Sequence, residues 1–441
     1  TTQILFDIEK NGILFDKNNL APVKERVRQE LEQKEQNFFN LIPEKIFDIS
    51  HHKEKGFKLT RTEFVRDVFF TKKGFDLKPF GKTPSGLPST KRPFLYRIRE
   101  TLEPNDSAFE ALTYYIEWGP LKKLYNTYLT QFEKSIKQDG RLHTKITKTG
   151  TATGRTSSSE PNLQNIPKRN KEISSWIRSL LIASPGKVLV AIDYSQMELR
   201  LIGFRSQDPE FIRTFVNNED IHTRTALSIL GNPDITSLMP EILKSARQKA
   251  KPVNFGYCYG MKPMGFVVYA RDDYGIKINL EEASNYRNNY FKKYAKLPVW
   301  HQQEINFARK KGYCRTPFGA IRRLPNINSE DFFTKSEAER CAINTPIQSA
   351  GSDITLFAAK RLKDENIYDN IRAKLVLFIH DELIFEVDEN YVDDFVTKAI
   401  DCMTNLDFWL WKYFKFKLEP IPLKVDPEIG LDLAHMKEYI Q

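Results

Sequence analysis

The chain has 441 residues, long for one hydrophobic core, so two or three subdomains are expected. A hydrophobic content of 40% fits a globular protein, and a net charge of +10 points to an anionic partner, most often nucleic acid, met by a basic groove rather than a polybasic tail. The four cysteines, Cys258, Cys314, Cys341 and Cys402, are scattered without a CxxC or zinc spacing, and the seven histidines show no paired metal spacing. Reduced thiols in a cytosol-like compartment are the simplest reading. There is no run of about 18 apolar residues and no signal peptide, so neither membrane insertion nor secretion is expected. The chain begins with Thr1 rather than Met and reads as a piece of something longer.

In chain order, residues 1–16 read as a short amphipathic element ending in a turn at Asn11-Gly12. Phe6-Asp7-Ile8-Glu9 has the Asp-x-Glu spacing that opens many metal-dependent 3′–5′ exonuclease sites. Such a site needs further acidic residues on downstream strands, and a helical pattern follows instead, so the spacing is read as incidental. That pattern runs from about Ala21 to Leu41, with Val23, Val27, Leu31 and Phe38 among its apolar positions. Residues 53–91 are basic and rich in Gly, Pro and Ser, and read as a flexible basic loop near a nucleic-acid backbone. Gly81-Lys82-Thr83 inside it lacks the full spacing of a phosphate-binding loop and precedes prolines. Phe94 to Ile136 reads as two helices, the second carrying Leu121, Leu124, Tyr125 and Leu129 on one side.

From Arg141 to Pro167 hydroxyls and amides dominate, which suits hydrogen bonds to a sugar–phosphate backbone or a minor groove as well as an ordinary polar loop. The β-branched run Val188–Ile192 then reads as a buried strand that stops at Asp193. Beyond Arg200 the pattern is mostly helical to about Lys311. Within it Arg247, Lys251, Phe255 and Tyr259 recur at four-residue spacing, a stripe along one helix face. Two cations followed by two aromatics suit a triphosphate at one end and bases at the other; surface cations beside core aromatics would give the same pattern. Ser336–Leu362 is again helical, with Arg340, Asn344 and Gln348 at four-residue spacing. Lys374–Val387 reads as a β-hairpin with His380-Asp381-Glu382 at or beside its tip, an unusual turn where Asn-Gly or Asp-Gly would be ordinary.

Two buried strands thus each deliver an aspartate, Asp193 and Asp381, with a cationic helix between them in sequence. Two convergent carboxylates can hold a pair of divalent ions for phosphoryl transfer, and Mg²⁺ suits such sites because it prefers few carboxylates plus water and phosphate.

The ordered set Asp193-Tyr-Ser-Gln-Met-Glu-Leu-Arg200, Arg247-x3-Lys251-x3-Phe255-Gly-x2-Tyr259-Gly260 and His380-Asp381-Glu382 resembles the three polymerase motifs of the family A DNA polymerases, as in the large fragment of bacterial DNA polymerase I. The likeness extends to Thr151–Pro167, Asp220–His222 and Asn344–Gln348, and so runs through nearly the whole chain. It implies an α+β, right-hand polymerase fold, with an antiparallel-sheet palm from 137–203 and 318–441, fingers at 204–317, and a thumb with a palm-packed leading segment in 1–136. It implies a template-directed polymerase that adds dNTPs to a primer 3′-hydroxyl and releases pyrophosphate. Two Mg²⁺ ions, replaceable by Mn²⁺, would be held by Asp193, Asp381 and the backbone carbonyl of Tyr194, with Glu382 in support and Lys251 counted among the catalytic groups. Arg247, Lys251, His222 and Gln196 would bind the dNTP, Phe255 would pack on its sugar and base, Tyr259 would stack at the templating position, and Glu198 would block a ribose 2′-hydroxyl. Arg155, Asn165, Arg340, Asn344, Gln348 and His380 would touch primer and template. The implied partners are primer–template DNA and dNTPs, with no membrane, in a monomer of the bacterial or phage nucleoid or of an organellar matrix.

Three departures carry expectations of their own. Pro252 sits in the stripe helix, where a kink or widened turn near Gln248–Pro252 is expected. No proofreading exonuclease is expected in this chain. Phe255, rather than Tyr, should discriminate against dideoxynucleotides. Competing readings are the same fold with reverse transcription or ribonucleotide polymerisation, an inactive DNA-binding clamp, and a two-metal nuclease; Glu198 argues against ribonucleotides, and the Arg247–Tyr259 stripe against a nuclease.

Overall fold

The computed structural model describes residues 2–168, 171–230 and 240–440. The chain forms two compact units, one made of 1–14, 141–165 and 182–441, the other of 15–140 and 166–181.

The first unit is built on a five-stranded antiparallel sheet. Its strand order is Lys437–Glu438, Val425–Gly430, Lys187–Tyr194, Glu382–Asp388, Ala373–Ile379. The β-branched strand expected at Val188–Ile192 is therefore central, and it runs on to Tyr194, so Asp193 lies within the strand. Val190 and Ile192 join Phe385, Ile347, Ala350 and Ile354 in one buried core, which brings the 33-residue helix Phe332–Asp364 onto the sheet. Gly351 in that helix allows close approach, since a Cβ there would lie 3.3 Å from Met197 Cγ.

Seven described helices between Met197 and Lys311 belong to the same unit, as the periodicity predicts. Their starts are set locally: Asp208 caps Pro209–Val216 through the Glu210 and Phe211 amides, and Asn279 with Glu282 forms a capping box. Pro252 is buried inside the helix Pro240–Cys258, which keeps the α form through Gln248–Pro252. The Arg141–Pro167 segment is not simply a loop: Lys145–Thr147 pairs antiparallel with Ser157–Ser159. Short strands made of serines carry no hydrophobic alternation, so the pattern hid them.

The second unit is helical. Asp16 caps Lys17–Leu41, and Asp106 caps Ser107–Lys123, which runs through a π-helical turn, Leu124–Leu129, into Thr130–Ser135. Phe38, Phe69 and Tyr115 pack ring to ring at its centre. Residues 53–91 depart from the expected flexible loop. They contain the helix Thr62–Phe70, whose Phe64, Val65, Val68 and Phe69 are fully buried. Its one apolar face is short and flanked by basic and Gly-rich sequence, which masked the period. The Gly81-Lys82-Thr83 stretch forms a tight turn closed by a bridge between Lys82 and Pro88 and by Leu87 N–H to Thr83 Oγ1 at 3.2 Å, and it opens no phosphate-binding helix.

Candidate active site

Two antiparallel strands place the carboxylates. Asp193 stands directly opposite Glu382 in the register, and the Tyr194 amide donates to the Asp381 carbonyl at 3.4 Å. Directly opposed residues in such a pair lie about 4.5–5.5 Å apart at Cα. Asp193, Tyr194, Asp381 and Glu382 therefore meet at one end of the sheet. Asp426, on the other neighbour of the central strand, is also paired with Asp193.

The turns at this end are strained. His380 and Asp381 form a two-residue hairpin turn, with His380 at φ 60°, a position that ordinarily takes glycine. Gln196, between the Asp193 strand and the helix Met197–Ser206, is also left-handed at φ 54°. Non-glycine residues in this region store about 1–3 kcal/mol each and cluster at functional sites.

Burial, then the neighbouring Glu198 and Glu382, push Asp381 up to about 6. One carboxyl held above its ordinary range beside Asp193 and the Tyr194 carbonyl fits divalent cations held by Asp193, Asp381 and that carbonyl.

The cationic stripe is anchored to the same place. Arg247 forks onto Asp220, with Nε and Nη2 each 2.9 Å from a carboxylate oxygen. Gln196 Nε2 donates to Asp220 at 3.3 Å, and the Thr223 amide and hydroxyl donate at 2.7 and 2.8 Å. Burial opposes ionisation of Asp220, but these hydrogen bonds hold its carboxyl well below the ordinary range. Arg247, Lys251, Phe255 and Tyr259 are all half-buried, while Ala246, Ala250, Val253 and Asn254 on the adjoining faces are buried. The stripe is thus a half-open face bordering the packed side of the helix, with Tyr259 in the turn just past its last residue, Cys258.

At its far end Tyr259 donates its phenol to Glu198, which also takes Arg155. Burial and the adjacent Glu198 push the phenol well above its ordinary value, so Tyr259 is the donor.

His222 is buried 5.8 Å from the Phe255 ring, centroid to centroid. Burial, with Arg247 and Lys251 nearby, pushes its imidazole down to about 4 despite Asp220. The ring is neutral near pH 7, and its Nδ1 lies 2.9 Å from the Asn254 amide nitrogen. An amide nitrogen can only donate, so the proton sits on Nε2, leaving a neutral donor rather than a cation. Asn254 is held in turn by Thr225, 3.0 Å away, which also meets Tyr294 at 2.9 Å.

The remaining expected residues lie further along. Arg340, Asn344 and Gln348 follow one another on the long helix, the first exposed and the others half-buried. Gly154 comes against this helix beside Gln348. Its φ is +73°, and a Cβ there would lie 2.7 Å from Ser349 Oγ. Lys148, paired with Asp353 at 2.6 Å, fixes the same hairpin. Asn165 is exposed.

Sequence reading missed the roles of Asp220, Asn254 and Thr225. The available signals were an Asp two residues before His222 and an Asn inside an otherwise apolar helix face. The Asp7–Glu9 pair is accounted for structurally: buried Asp7 takes Lys363 and the Tyr368 hydroxyl, and Glu9 accepts the Ile146 amide at 2.7 Å.

A model of DNA polymerase family A matches residues 18–435. The chain belongs to DNA polymerase family A. DNA polymerase I of Caldicellulosiruptor bescii is 32% identical over 438 residues, 98% of this chain and 46% of that protein. The thermostable DNA polymerase I of Thermus thermophilus is 32% identical over 441 residues, 99% of this chain and 48% of that protein. This family A chain thus spans about half the length of the curated relatives it matches. Among solved structures it is similar to the POL domain of Pol1 from M. smegmatis, in complex with DNA primer–template and dNTP. The TM-score is 0.81 at 27% identity, covering 98% of this chain and 69% of that one. The α+β polymerase fold implied by the motifs is the fold observed. No helix among the described residues is long and apolar enough to cross a membrane.

Proposed function

We propose that this chain is a template-directed DNA polymerase that extends a primer 3′-hydroxyl with dNTPs and releases pyrophosphate. The observation that carries this is a chain of hydrogen bonds: Gln196, three residues past Asp193, bonds Asp220, which forks onto Arg247. It ties the carboxylate end of the sheet to the cationic face of the stripe helix, the two halves that nucleotidyl transfer requires.

Phosphoryl transfer depends on positioning and charge neutralisation more than on covalent help from the protein. Asp193, Asp381 and the Tyr194 carbonyl would hold two Mg²⁺ ions, or Mn²⁺ in their place. When bound, such ions lower the pKa of the attacking hydroxyl and neutralise the triphosphate. Arg247 offers a fork, Lys251 a point charge and His222 a neutral N–H to the phosphates. Phe255 would pack on the nucleotide, and Tyr259 would stand at the templating position. Glu198, held by Tyr259 and Arg155, would close the space a 2′-hydroxyl needs. Arg155, Asn165, Arg340, Asn344, Gln348 and His380 would follow the primer–template duplex, whose sequence is copied by base pairing and need not be read by the protein.

The separate compact unit of 15–140 with 166–181 supports reading most of the first 136 residues as a thumb, with palm and fingers in the other unit. The structural engagement of Asp7 and Glu9 supports reading their Asp-x-Glu spacing as incidental rather than as an exonuclease site.

Primer extension tests the reading, with dNTPs or NTPs on DNA or RNA templates. Extension with dNTPs on DNA is expected. Efficient NTP use would reassign Glu198, extension on RNA would add reverse transcription, and primer degradation without extension would favour a nuclease. Binding of DNA with no chemistry at all would leave an inactive clamp.

A further inference from the structure

The geometry points to a structural metal site, of the zinc class, in the second unit, formed by His51, His52 and Asp67 with Glu63 at its edge. One ligand atom from each of His51, His52 and Asp67 lies within 4.8 Å of the others. His51 and His52 come from the short helix Ser50–Lys55, and Glu63 and Asp67 from the helix Thr62–Phe70.

The distances favour a bridging ion over a closed set of hydrogen bonds. His51 Nε2 is 3.5 Å from Asp67 Oδ2 and 3.6 Å from Glu63 Oε1. It is buried, yet it makes no hydrogen bond. A buried imidazole nitrogen between two carboxylates would ordinarily close on one of them. Ligand atoms around tetrahedral zinc, at its usual bond lengths, lie about 3.4 Å apart. The two His51 separations match that edge, and His52 Nε2 to Asp67 Oδ2, at 2.9 Å, is the one hydrogen-bonding contact in the set.

The surroundings fit as well. His52 is fully buried against Phe57 and Phe64, in an apolar shell that lowers the local dielectric. Arg61 Nη2 donates to the other Glu63 oxygen at 3.1 Å, and its Nη1 donates to the Gly56 carbonyl at 2.8 Å. The guanidinium thus orients Glu63 from the side away from His51 and offsets one of the two carboxylate charges. The ion would staple the two helices across the Gly56–Arg61 turn.

The test uses the full chain, stripped of metal, with Asp193 and Asp381 both replaced by Ala so that the first unit's carboxylates do not compete. Zn²⁺ is titrated by calorimetry, and Co²⁺ is read by visible absorption. One equivalent of Zn²⁺ per chain and the intense bands of tetrahedral Co²⁺ are expected, with a rise in Tm on Zn²⁺ addition. Adding His51→Ala should weaken Zn²⁺ binding by at least about tenfold and remove both the Co²⁺ bands and the Tm rise, with circular dichroism unchanged. His51 is partly exposed, so this variant keeps the fold where His52→Ala would open a hole. Failure of the parent to bind Zn²⁺, or binding that a folded His51→Ala variant keeps, overturns the site.

Discussion

The phenol of Tyr259 donates to the carboxylate of Glu198, 61 residues earlier in the chain, and Arg155 holds the same carboxylate from the other side. Glu198 is therefore fixed by two donors from two elements, the stripe helix and the polar hairpin. A hydrogen bond to a charged group contributes about 1.5–3 kcal/mol, or roughly 10- to 100-fold in an equilibrium. Glu198→Ala should raise ribonucleotide incorporation relative to dNTP by about that factor. Tyr259→Phe, which removes one of the two donors and leaves the carboxylate in place, should show a smaller rise. Single-nucleotide insertion with matched NTP and dNTP measures both; no change in either variant would remove Glu198 from sugar selection.

Asp381 makes the metal-free protein sensitive to pH. Its carboxyl is raised to about 6 in the folded state, by burial first, so between pH 4 and 6 the folded chain binds more protons than the unfolded one. The sign follows: this group's contribution to stability is greatest below the unfolded pKa and is lost as pH rises through about 6. A cation at the site should relieve the penalty. The Tm of the metal-free protein should decline from pH 5 to 7, and the gain in Tm on adding Mg²⁺ should grow over the same range. Thermal melts with Mg²⁺ or EDTA check this, and a Mg²⁺ gain independent of pH would count against the placement.

Asp193→Ala and Asp381→Ala should each reduce primer extension by about 10³-fold or more, since each removes ion-mediated charge stabilisation of several kcal/mol. DNA affinity should hold, because neither residue contributes positive charge. Extension rates and a fluorescence-anisotropy Kd separate the two effects. Retained extension in either variant would overturn the metal assignment.

Asn254 is predicted to set the tautomer of His222. Asn254→Ala releases the imidazole Nδ1 and leaves Thr225 without one partner, a buried loss of about 1–3 kcal/mol in stability. The KM for dNTP should rise roughly tenfold with a smaller change in kcat, as expected when phosphate binding is lost in ground and transition states alike. Steady-state kinetics with a denaturant melt tests it, and an unchanged KM in a destabilised variant would make Asn254 purely structural.

Phe255 lies half-buried beside His222 on the stripe face of its helix. Phe255→Tyr should increase incorporation of dideoxynucleotides, because a phenol at this position can replace the interaction lost with the 3′-hydroxyl. Competitive insertion of ddNTP against dNTP gives the ratio directly.

Much of this protein was determined locally by its sequence. The run Val188–Ile192, the Lys374–Val387 hairpin and the Arg247–Tyr259 stripe are each patterned at the period of the element they form, so element, face and motif order could be read directly. Elements with weak or masked patterns were not legible: the serine strand Ser157–Ser159 and the helix Thr62–Phe70, set in basic sequence. Nor were the long-range partners. His51 and His52 are adjacent in the chain, which is no metal signature by itself, and only Asp67 from the next helix completes the cluster. Only the tertiary structure decided that Glu382 stands opposite Asp193, that Asp220 forks onto Arg247, and that Tyr259 reaches Glu198. Periodicity records which face of an element is buried, whereas the identity of the group it meets depends on strand register and helix packing set by residues far away in the chain.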